Sequence, residues 1–434
     1  MKCILSAILG VVVLASLSAA AVKPFYGRVS FYAAGASSTY DQGGTFSYSE
    51  LILTFTFRST DTDRDGLEYG FDARGAGYPS SNNRSGRLSL YDGFFGAKFG
   101  GGLFLVRAGQ MWLNDLGSLG SLGGGLFEFH FPGRTPLGKL RAGIFYGYEP
   151  KILEIGYVAD VTKYGGYLAL EGEGARRHVL GYIALRNSSL SERSVLLFNN
   201  YLPIGKSFFL YQAAEYDLHG SLGTGAGQLT YFFANARWSL VSFLELQGTF
   251  HRGLSIDTRS ITLDRLNGRP IDQRTAEGFL YESFGGRLTV NVSNLIHLYA
   301  GYSRDRTSLG DGRSDRLNFG LYASNILKTG FDVNVSDWRM TSESGSSYDS
   351  WYASLGRNIS RALYVEGFYS SAVSVFRLTA GGGFRIDHYP QTQRLGFSMI
   401  WNVLRTAALQ LTAERTLGDQ YKEYRGLAGL SFRF

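Results

Sequence analysis

Apolar and polar residues alternate with period two in stretches that recur from about residue 22 to the C-terminus. In one example, Phe331, Val333 and Val335 alternate with polar residues. An α-helix needs an apolar period of 3.6 residues, whereas period two places alternate side chains on opposite faces of a β-strand. The segments 51–58, 244–251, 287–292 and 316–321 share this pattern. The sequence therefore predicts half-buried strands.

The connections between these strands differ in length. Short turns are expected near 203–205, 239–241, 293–294, 325–327, 358–359 and 402–404, and longer polar connections near 252–278, 304–314 and 338–346. Short turns at one rim and long loops at the other are the layout of an up-and-down barrel. We count about 22 strands, within a range of about 18 to 24, each long enough to cross a membrane at ~9–11 residues. Strand bounds in 100–172 are the least regular. Residues 112–137 are expected to be a nearly uncharged loop at the long-loop rim, followed by strands that start near 138, 151 and 162 and run toward the short-turn rim, back to the long-loop rim and down again.

Composition favours a barrel in a membrane over a soluble one. Aromatic residues make up 15% of the 434 residues and charged residues only 18%, against roughly 25% charged in an average soluble domain. A propeller would repeat a blade motif about every 40 residues, and a soluble sandwich would not combine so many aromatic residues with so little charge. Mean hydropathy of −0.07 leaves no room for several transmembrane helices. The predicted fold class is all-β, a transmembrane antiparallel up-and-down β-barrel.

The N-terminus resembles a secretory signal. A basic start at Lys2, an apolar run over 4–17 and small residues over 18–21 predict cleavage after Ala21. Residues 1–21 are thus expected to be a signal peptide, and 22–434 a single barrel domain. Cys3 is the one cysteine, so the mature chain is expected to lack thiol catalysis, disulfides and cysteine-bound haem or metal. The 43 Lys and Arg are dispersed among 36 Asp and Glu, which predicts no nucleic-acid partner.

The C-terminal strand is similar to that of bacterial outer-membrane β-barrel proteins of the porin type. Gly429, Phe432 and the terminal Phe434 match the glycine, the alternating apolar residue and the final phenylalanine of those proteins, whereas Leu427 replaces a commonly polar residue. The resemblance implies that these three residues form a signal read by the barrel assembly machinery. It also implies an outer-membrane location, with lipid as a partner, short periplasmic turns and long outer loops.

No catalytic, cofactor or metal site is predicted. Residues 61–66 match the opening of a calcium loop, but Asp72 stands where an EF-hand has glutamate and the segment is a turn between strands, so we interpret it as a solvated acidic turn. No H-E-x-x-H, G-x-S-x-G or phosphate-binding loop occurs. Asp387 and His388 leave a barrel lipase or protease as a minor alternative.

Charged residues on the polar face of the strands are candidates for the pore wall. Strand parity selects Arg58, Arg74, Arg141, Arg287, Arg316, Glu245, Asp332, Glu366 and Glu414, with Arg186, Arg377, Arg425, Arg433 and Glu215 as further members. These side chains either hydrate the lumen and pair with one another or bias the choice of ion. A barrel this wide also needs something to narrow it. We expect one or more of the connections 112–137, 252–278 and 371–393 to fold inward, unless a periplasmic or extracellular partner occupies the lumen.

Three functions remain open from the sequence. The first is a passive outer-membrane channel for small polar solutes or ions. The second is a conduit within a larger envelope complex, either a sleeve for a multihaem cytochrome or a part of polysaccharide export. The third is a barrel enzyme.

Overall fold

The protein forms a closed antiparallel barrel of 22 strands in a computed structural model. It describes residues 24–434 except 61–63, 81–83, 137, 152–153, 173–175, 219–226, 309–311, 381–383 and 389. The strands are β1 (Phe25–Tyr40), β2 (Thr45–Ser59), β3 (Gly66–Gly77), β4 (Arg87–Phe99), β5 (Phe104–Trp112), β6 (Ser121–Thr135), β7 (Gly138–Pro150), β8 (Tyr157–Glu171), β9 (Arg177–Asn187), β10 (Leu190–Ile204), β11 (Phe208–Asp217), β12 (Gln228–Val241), β13 (Leu244–Ser255), β14 (Phe279–Ser293), β15 (Ile296–Thr307), β16 (Arg313–Ala323), β17 (Phe331–Ser342), β18 (Ser347–Asn358), β19 (Leu363–Ala380), β20 (Phe384–His388), β21 (Gln391–Trp401), β22 (Ala407–Gly418) and β23 (Tyr421–Arg433).

Each strand pairs with its sequence neighbours, and β23 pairs with β1 to close the barrel. The exception is β20, which extends β19 as a short hairpin, so that β19 pairs with β21 within the barrel. In the described part of the chain, two α-helices (Thr258–Leu266 and Gln273–Glu277) and two 3-10 helices (Asn114–Leu119 and Ile326–Lys328) lie between strands. Among the described residues, no helix is long and apolar enough to cross a membrane. The predicted fold class and the strand number are confirmed.

The longest connections all lie at the rim opposite the chain termini. This rim carries 113–120, 218–227, 256–278 and the β19–β20 hairpin, whereas connections at the terminal rim have two to seven residues. Some turns at the far rim are equally tight, such as 188–189 between β9 and β10. Following the layout of such barrels, the rim with the termini is periplasmic and the far rim is the outer one.

The prediction for 112–137 is wrong in its bounds. Residues 121–135 form β6, and only 113–120 connects β5 to β6. The misplaced loop also misassigned the next strand, because β7 begins at Gly138 and runs toward the outer rim, where the sequence predicted the opposite direction. The total of 22 strands was right because an extra predicted strand near 151 compensated for the missing β6.

The two faces of the barrel differ in character. Outward-facing residues are large, apolar and exposed, including Ile144, Leu168, Phe284, Phe319 and Leu395. Many of the buried apolar residues instead form a cluster inside the barrel, contributed by the wall β5–β10 and residues 113–116. An apolar outward surface facing lipid is what a membrane barrel requires. The inner cluster shows that part of the lumen is filled by the chain itself.

Candidate functional site

The connection between β5 and β6, residues 113–120, folds into the lumen, and we call it the inner segment. Its central 3-10 helix Asn114–Leu119 is closed by backbone hydrogen bonds from Leu113 N to Gly120 O (2.9 Å) and from Leu116 N to Leu113 O (2.9 Å). Gly117 lies at φ 56° and ψ −131°, a conformation that residues with a Cβ rarely adopt. The tight backbone lets a short segment turn inward and return to β6.

A buried carboxylate anchors the inner segment to the barrel wall. Asp115, whose side chain is 5% exposed, pairs with Arg141 of β7 (2.6 Å) and with Arg177 of β9. Asn199 of β10 donates a hydrogen bond to the backbone oxygen of Asp115 (2.9 Å). Arg141 also binds Glu128 (2.6 Å) and Glu171 (2.9 Å). Because a buried charge is tolerated only when it is paired, this network fixes the position of Asp115.

Further contacts hold the C-terminal half of the segment. Lys163 of β8 is 1% exposed and donates to the carbonyl oxygens of Leu119 (3.2 Å) and Ser121 (2.9 Å). The Ser118 hydroxyl donates to Glu215 of β11 (2.6 Å). Leu116 is buried against β9. A Cβ added at Gly181 of this strand would lie only 3.0 Å from Leu116 Cδ2. The inner segment thus contacts strands β7 through β11 and covers their inner face.

The connection between β13 and β14 also crosses toward this wall. Its helix Thr258–Leu266 packs on β10, with Ile261 1% exposed. Arg259 pairs with Glu192 at the outer end of β10 (2.7 Å) and with Glu149 at the outer end of β7. Asp257 caps the helix, because it accepts hydrogen bonds from the Ser260 amide (3.0 Å) and hydroxyl (2.6 Å). These bonds lower the pKa of Asp257. The connection is shorter than the predicted 252–278, because 252–255 still belong to β13. Its geometry agrees with the prediction that one or more of the long outer connections fold inward.

Two cavities lie on either side of the inner segment. The outer cavity, about 530 Å³, is lined by Leu116, Gly117 and Ser118 together with the outer ends of β10–β14. The second, about 550 Å³, is lined by Leu113, Asn114 and Asp115, by the periplasmic turn near 101–103 and by the periplasmic end of β6 at 132–134. Successive residues of the inner segment therefore face the outer and the periplasmic halves of the lumen.

The periplasmic cavity carries an excess of positive charge. Six basic residues line it against three acidic ones: Lys98, Arg107, Arg134, Lys139, Arg141 and Arg177 against Asp115, Glu128 and Glu171. His130 also lines this cavity. Arg107 pairs with buried Glu68 (2.5 Å). Charges this close to the narrowed part of the lumen act on any ion that passes.

The opposite wall of the barrel is polar and less covered. Its inward positions on β14–β18 include Asn291, Asn318, Asn334 and Ser336, which alternate with the exposed apolar residues of the outward face. Tyr299 lies on this wall with the Arg287 guanidinium 3.8 Å from its ring centroid. The lumen is thus packed on one side and lined by half-exposed polar groups on the other.

The nine candidate pore-wall residues all lie on the inward face of their strands, but they do not converge on one site. Six form ion pairs, none of them with another of the nine: Arg58 with Asp92, Arg74 with Glu50 (3.4 Å), Arg141 as above, Arg316 with Asp305 (2.5 Å), Glu245 with Arg237 (3.6 Å) and Glu414 with Arg394 (3.8 Å). Asp332 accepts a hydrogen bond from the Asn325 amide at the periplasmic rim (2.9 Å), and Glu366 accepts one from Tyr352 (3.4 Å). Of the further members, Arg186 alternates with buried Leu185 and so lies on the outward face of β9.

The predicted assembly residues lie at the seam where the barrel closes. Phe432 pairs with Val29, and Gly429 pairs with Tyr32, whose ring lies over the glycine. Phe434 exchanges backbone hydrogen bonds with Gly27 (2.9 and 3.1 Å), and its ring contacts Phe25 and Phe57. Their reading by the assembly machinery stays a prediction.

Several sequence predictions fall outside the described residues. They are the signal peptide 1–21, the start of the acidic turn at 61–63, and the side chains of Arg377, Asp387 and His388. Asp65, in the described part of that turn, accepts hydrogen bonds from the amides of Gly101 (3.0 Å) and Gly102 (2.6 Å). Within the described part of the chain, no group of three or more His, Cys, Asp or Glu is placed to hold a metal ion.

A closed 22-stranded antiparallel barrel with an apolar outward face has the architecture of an outer-membrane β-barrel. No protein-family model matches the chain, and no curated protein matches its sequence. Its structure is similar to those of OpdQ from Pseudomonas aeruginosa (11% identity, 95% of this chain and 99% of that chain covered, TM-score 0.45) and OccAB2 from Acinetobacter baumannii (9%, 96% and 100%, 0.45). It is also similar to OccK8 (OprE) from Pseudomonas aeruginosa (10%, 96% and 100%, 0.43).

Proposed function

We propose that the chain is a passive outer-membrane channel for small polar solutes or ions, and that permeating molecules pass between the inner segment and the polar wall. The observation that carries the proposal is the anchoring of the inner segment by Asp115, Arg141, Arg177 and Lys163. A segment held by buried ion pairs narrows the lumen permanently, as a size-selective channel requires.

The chemistry of the uncovered wall supports polar rather than apolar cargo. Amide, hydroxyl and phenol groups on β14–β18 can replace part of a solute's hydration shell through hydrogen bonds. The excess of basic residues in the periplasmic cavity favours anions over cations of the same size. We therefore expect a channel with a moderate anion preference.

The alternative conduit functions have less support. A partner protein inside the lumen would have to displace both the inner segment and the helix Thr258–Leu266, which are tied to the wall by ion pairs. For the barrel enzyme, the described residues offer no constellation of nucleophile, base and orienting group that supports it.

The test uses purified full-length protein in planar lipid bilayers under a KCl gradient. The proposal predicts discrete channels whose reversal potential indicates anion preference. Replacing Lys139→Gln in the periplasmic cavity should reduce that preference. The matched control is Lys206→Gln, which removes the same charge from a turn at the same rim outside the cavity, and it should leave the potential unchanged. An intact barrel that conducts nothing, or equal shifts from both variants, would contradict the proposal.

A further inference from the structure

Four arginines cluster on the lipid-facing side of the barrel near its outer rim. Arg304 and Arg306 belong to β15, Arg313 to β16 and Arg339 to β17, and we call them the outer arginine patch. Charge is unexpected on this face, because exposed apolar residues dominate it elsewhere.

The strand register places these side chains outside the barrel. Arg304 pairs across with Phe284 and Arg339 pairs with Leu317, and both partners are apolar and exposed. Asp305, the neighbour of Arg304, points the other way, is 3% exposed and accepts a hydrogen bond from Tyr281 (3.0 Å), which lines the outer lumen cavity. The patch therefore faces the membrane rather than the channel.

The arginine side chains are the most exposed side chains of the patch. The four arginine side chains are 58–61% exposed. The carboxylates that pair with them, Glu282, Asp315, Asp337 and Glu343, are 23–54% exposed, and Glu282 is also bound by Arg252 of β13 (2.7 Å). They form ion pairs with the arginines, for example between Arg304 and Asp315 (2.8 Å) and between Arg339 and Asp337 (2.9 Å). The arginine side chains are therefore the more accessible partners of these ion pairs from the lipid side.

Two arginines of the patch lie directly opposite each other. Arg306 and Arg313 are cross-strand partners in the ladder between β15 and β16. Like charges directly opposite one another destabilise a sheet. Their carboxylate contacts are long, 3.8 Å from Arg306 to Glu282 and 3.4 Å from Arg313 to Glu343. An anion bound between the two guanidinium groups would relieve this repulsion.

We propose that the outer arginine patch binds the phosphate groups of a phosphorylated glycolipid headgroup in the outer leaflet. Guanidinium groups bind phosphate oxygens through paired, charge-assisted hydrogen bonds. The patch lies toward the outer end of lipid-facing strands, where headgroups meet the protein. Apolar residues on the same strands, such as Leu317 and Phe319, can contact the acyl chains of the same lipid. The proposal assigns one lipid site to the sector β15–β17.

The test measures binding of bisphosphorylated lipid A to the full-length protein in phosphatidylcholine nanodiscs by native mass spectrometry. The double variant Arg306→Gln/Arg313→Gln should lose affinity by about tenfold or more, since each removes a charge-assisted contact. The matched control, Arg186→Gln/Arg415→Gln, removes two outward arginines on other strands and should bind as the unmodified protein does. Heat-modifiable migration on gels verifies folding, and Arg313→Gln alone replaces the double variant if the latter does not fold.

Two further arms identify the ligand. Dephosphorylated lipid A should bind no better to the unmodified protein than to the double variant. Inorganic phosphate alone should bind weakly and should not displace the lipid at millimolar concentration. Equal loss in the patch and control variants, retention of dephosphorylated lipid A, or displacement by free phosphate would each overturn the proposal. Self-association of the lipid-free protein that the patch variant abolishes would also overturn it, because the patch would then be a contact between copies.

Discussion

The substitution Asp115→Asn keeps the shape of the side chain but removes its charge, and it should release the inner segment. Asp115 is 5% exposed and pairs with Arg141 and Arg177. Removing one partner of a buried ion pair costs about 3–5 kcal/mol, and a lost hydrogen bond to a charged group about 1.5–3 kcal/mol. Arg141 keeps Glu128 and Glu171, and Arg177 is 39% exposed and can be hydrated. We therefore expect Asp115→Asn to weaken the attachment of the inner segment to the wall by about 2–4 kcal/mol.

This cost falls on the equilibrium between the anchored and the released segment, because the strands of the barrel do not depend on Asp115. At 1.4 kcal/mol per tenfold, the released population should rise by about 30-fold to about 700-fold. Single-channel recordings should then show frequent transitions to a higher conductance, and protease added from the outer side should cleave near 114–119 sooner.

The control for this experiment is Glu171→Gln. It removes a carboxylate from the same Arg141 network, but Glu171 is 47% exposed and does not contact the inner segment. It should not increase the transitions to a higher conductance or the rate of cleavage, although the loss of a cavity charge can alter ion preference. If Asp115→Asn behaves as the unmodified protein does in both assays, the buried ion pairs do not hold the segment and the reasoning is refuted.

Three further predictions concern the barrel seam, its faces and the crossing helix. Phe434→Asp should impair assembly, because the ring and backbone of Phe434 join the first and last strands; heat-modifiable protein in the membrane at normal levels would contradict this. Leu288→Arg, on the outward face, should lower the free energy of unfolding by roughly 2–4 kcal/mol near the bilayer midplane, and Thr289→Arg, on the inward face, should lower it little. Urea unfolding in vesicles measures both, and equal costs would refute the assignment of the two faces. Asp257→Ala should cost about 1 kcal/mol of helix stability. Because the Asp257 pKa is lowered in the folded state, its contribution is full above the ordinary carboxyl pKa of about 3.9 and is lost as the pH falls through the folded value. Amide exchange of 258–266 should therefore be faster in the variant at neutral pH and equal in both proteins in strong acid.

The alternation that predicted the barrel is clearest where one strand face meets lipid and the other meets water. It fails in β6, because Leu122 and Leu126 point inward but are buried by the inner segment. An apolar inner face removes the polar half of the pattern, and three consecutive glycines at 123–125 resemble a loop. Because the inner segment also covers β9 and β10, these two strands carry apolar residues on both faces. The strand region hardest to read from the sequence is therefore the wall that the inner segment covers.

The sequence predicted only part of the candidate site. Parity placed Arg141 on the inner face correctly, but its partner Asp115 was missed because it lies in a segment read as a nearly uncharged loop. A signal was present, since Asp115 stands between Leu113 and Leu116 in a connection too apolar for an exposed loop. Lys163 was also missed, because a lysine on a strand face gives no sign that backbone carbonyls will surround it. Such pairings between distant strands depend on tertiary contacts that no local pattern encodes.

The chain narrows its own lumen through the inner segment. Single-channel conductance of the intact protein, compared with a variant in which residues 114–119 are replaced by a two-residue turn, tests it most directly. The account predicts a small conductance for the intact protein and a clear increase for the variant. A wide-pore conductance in the intact protein that the replacement leaves unchanged would contradict it, and a partner filling the lumen would become the better explanation.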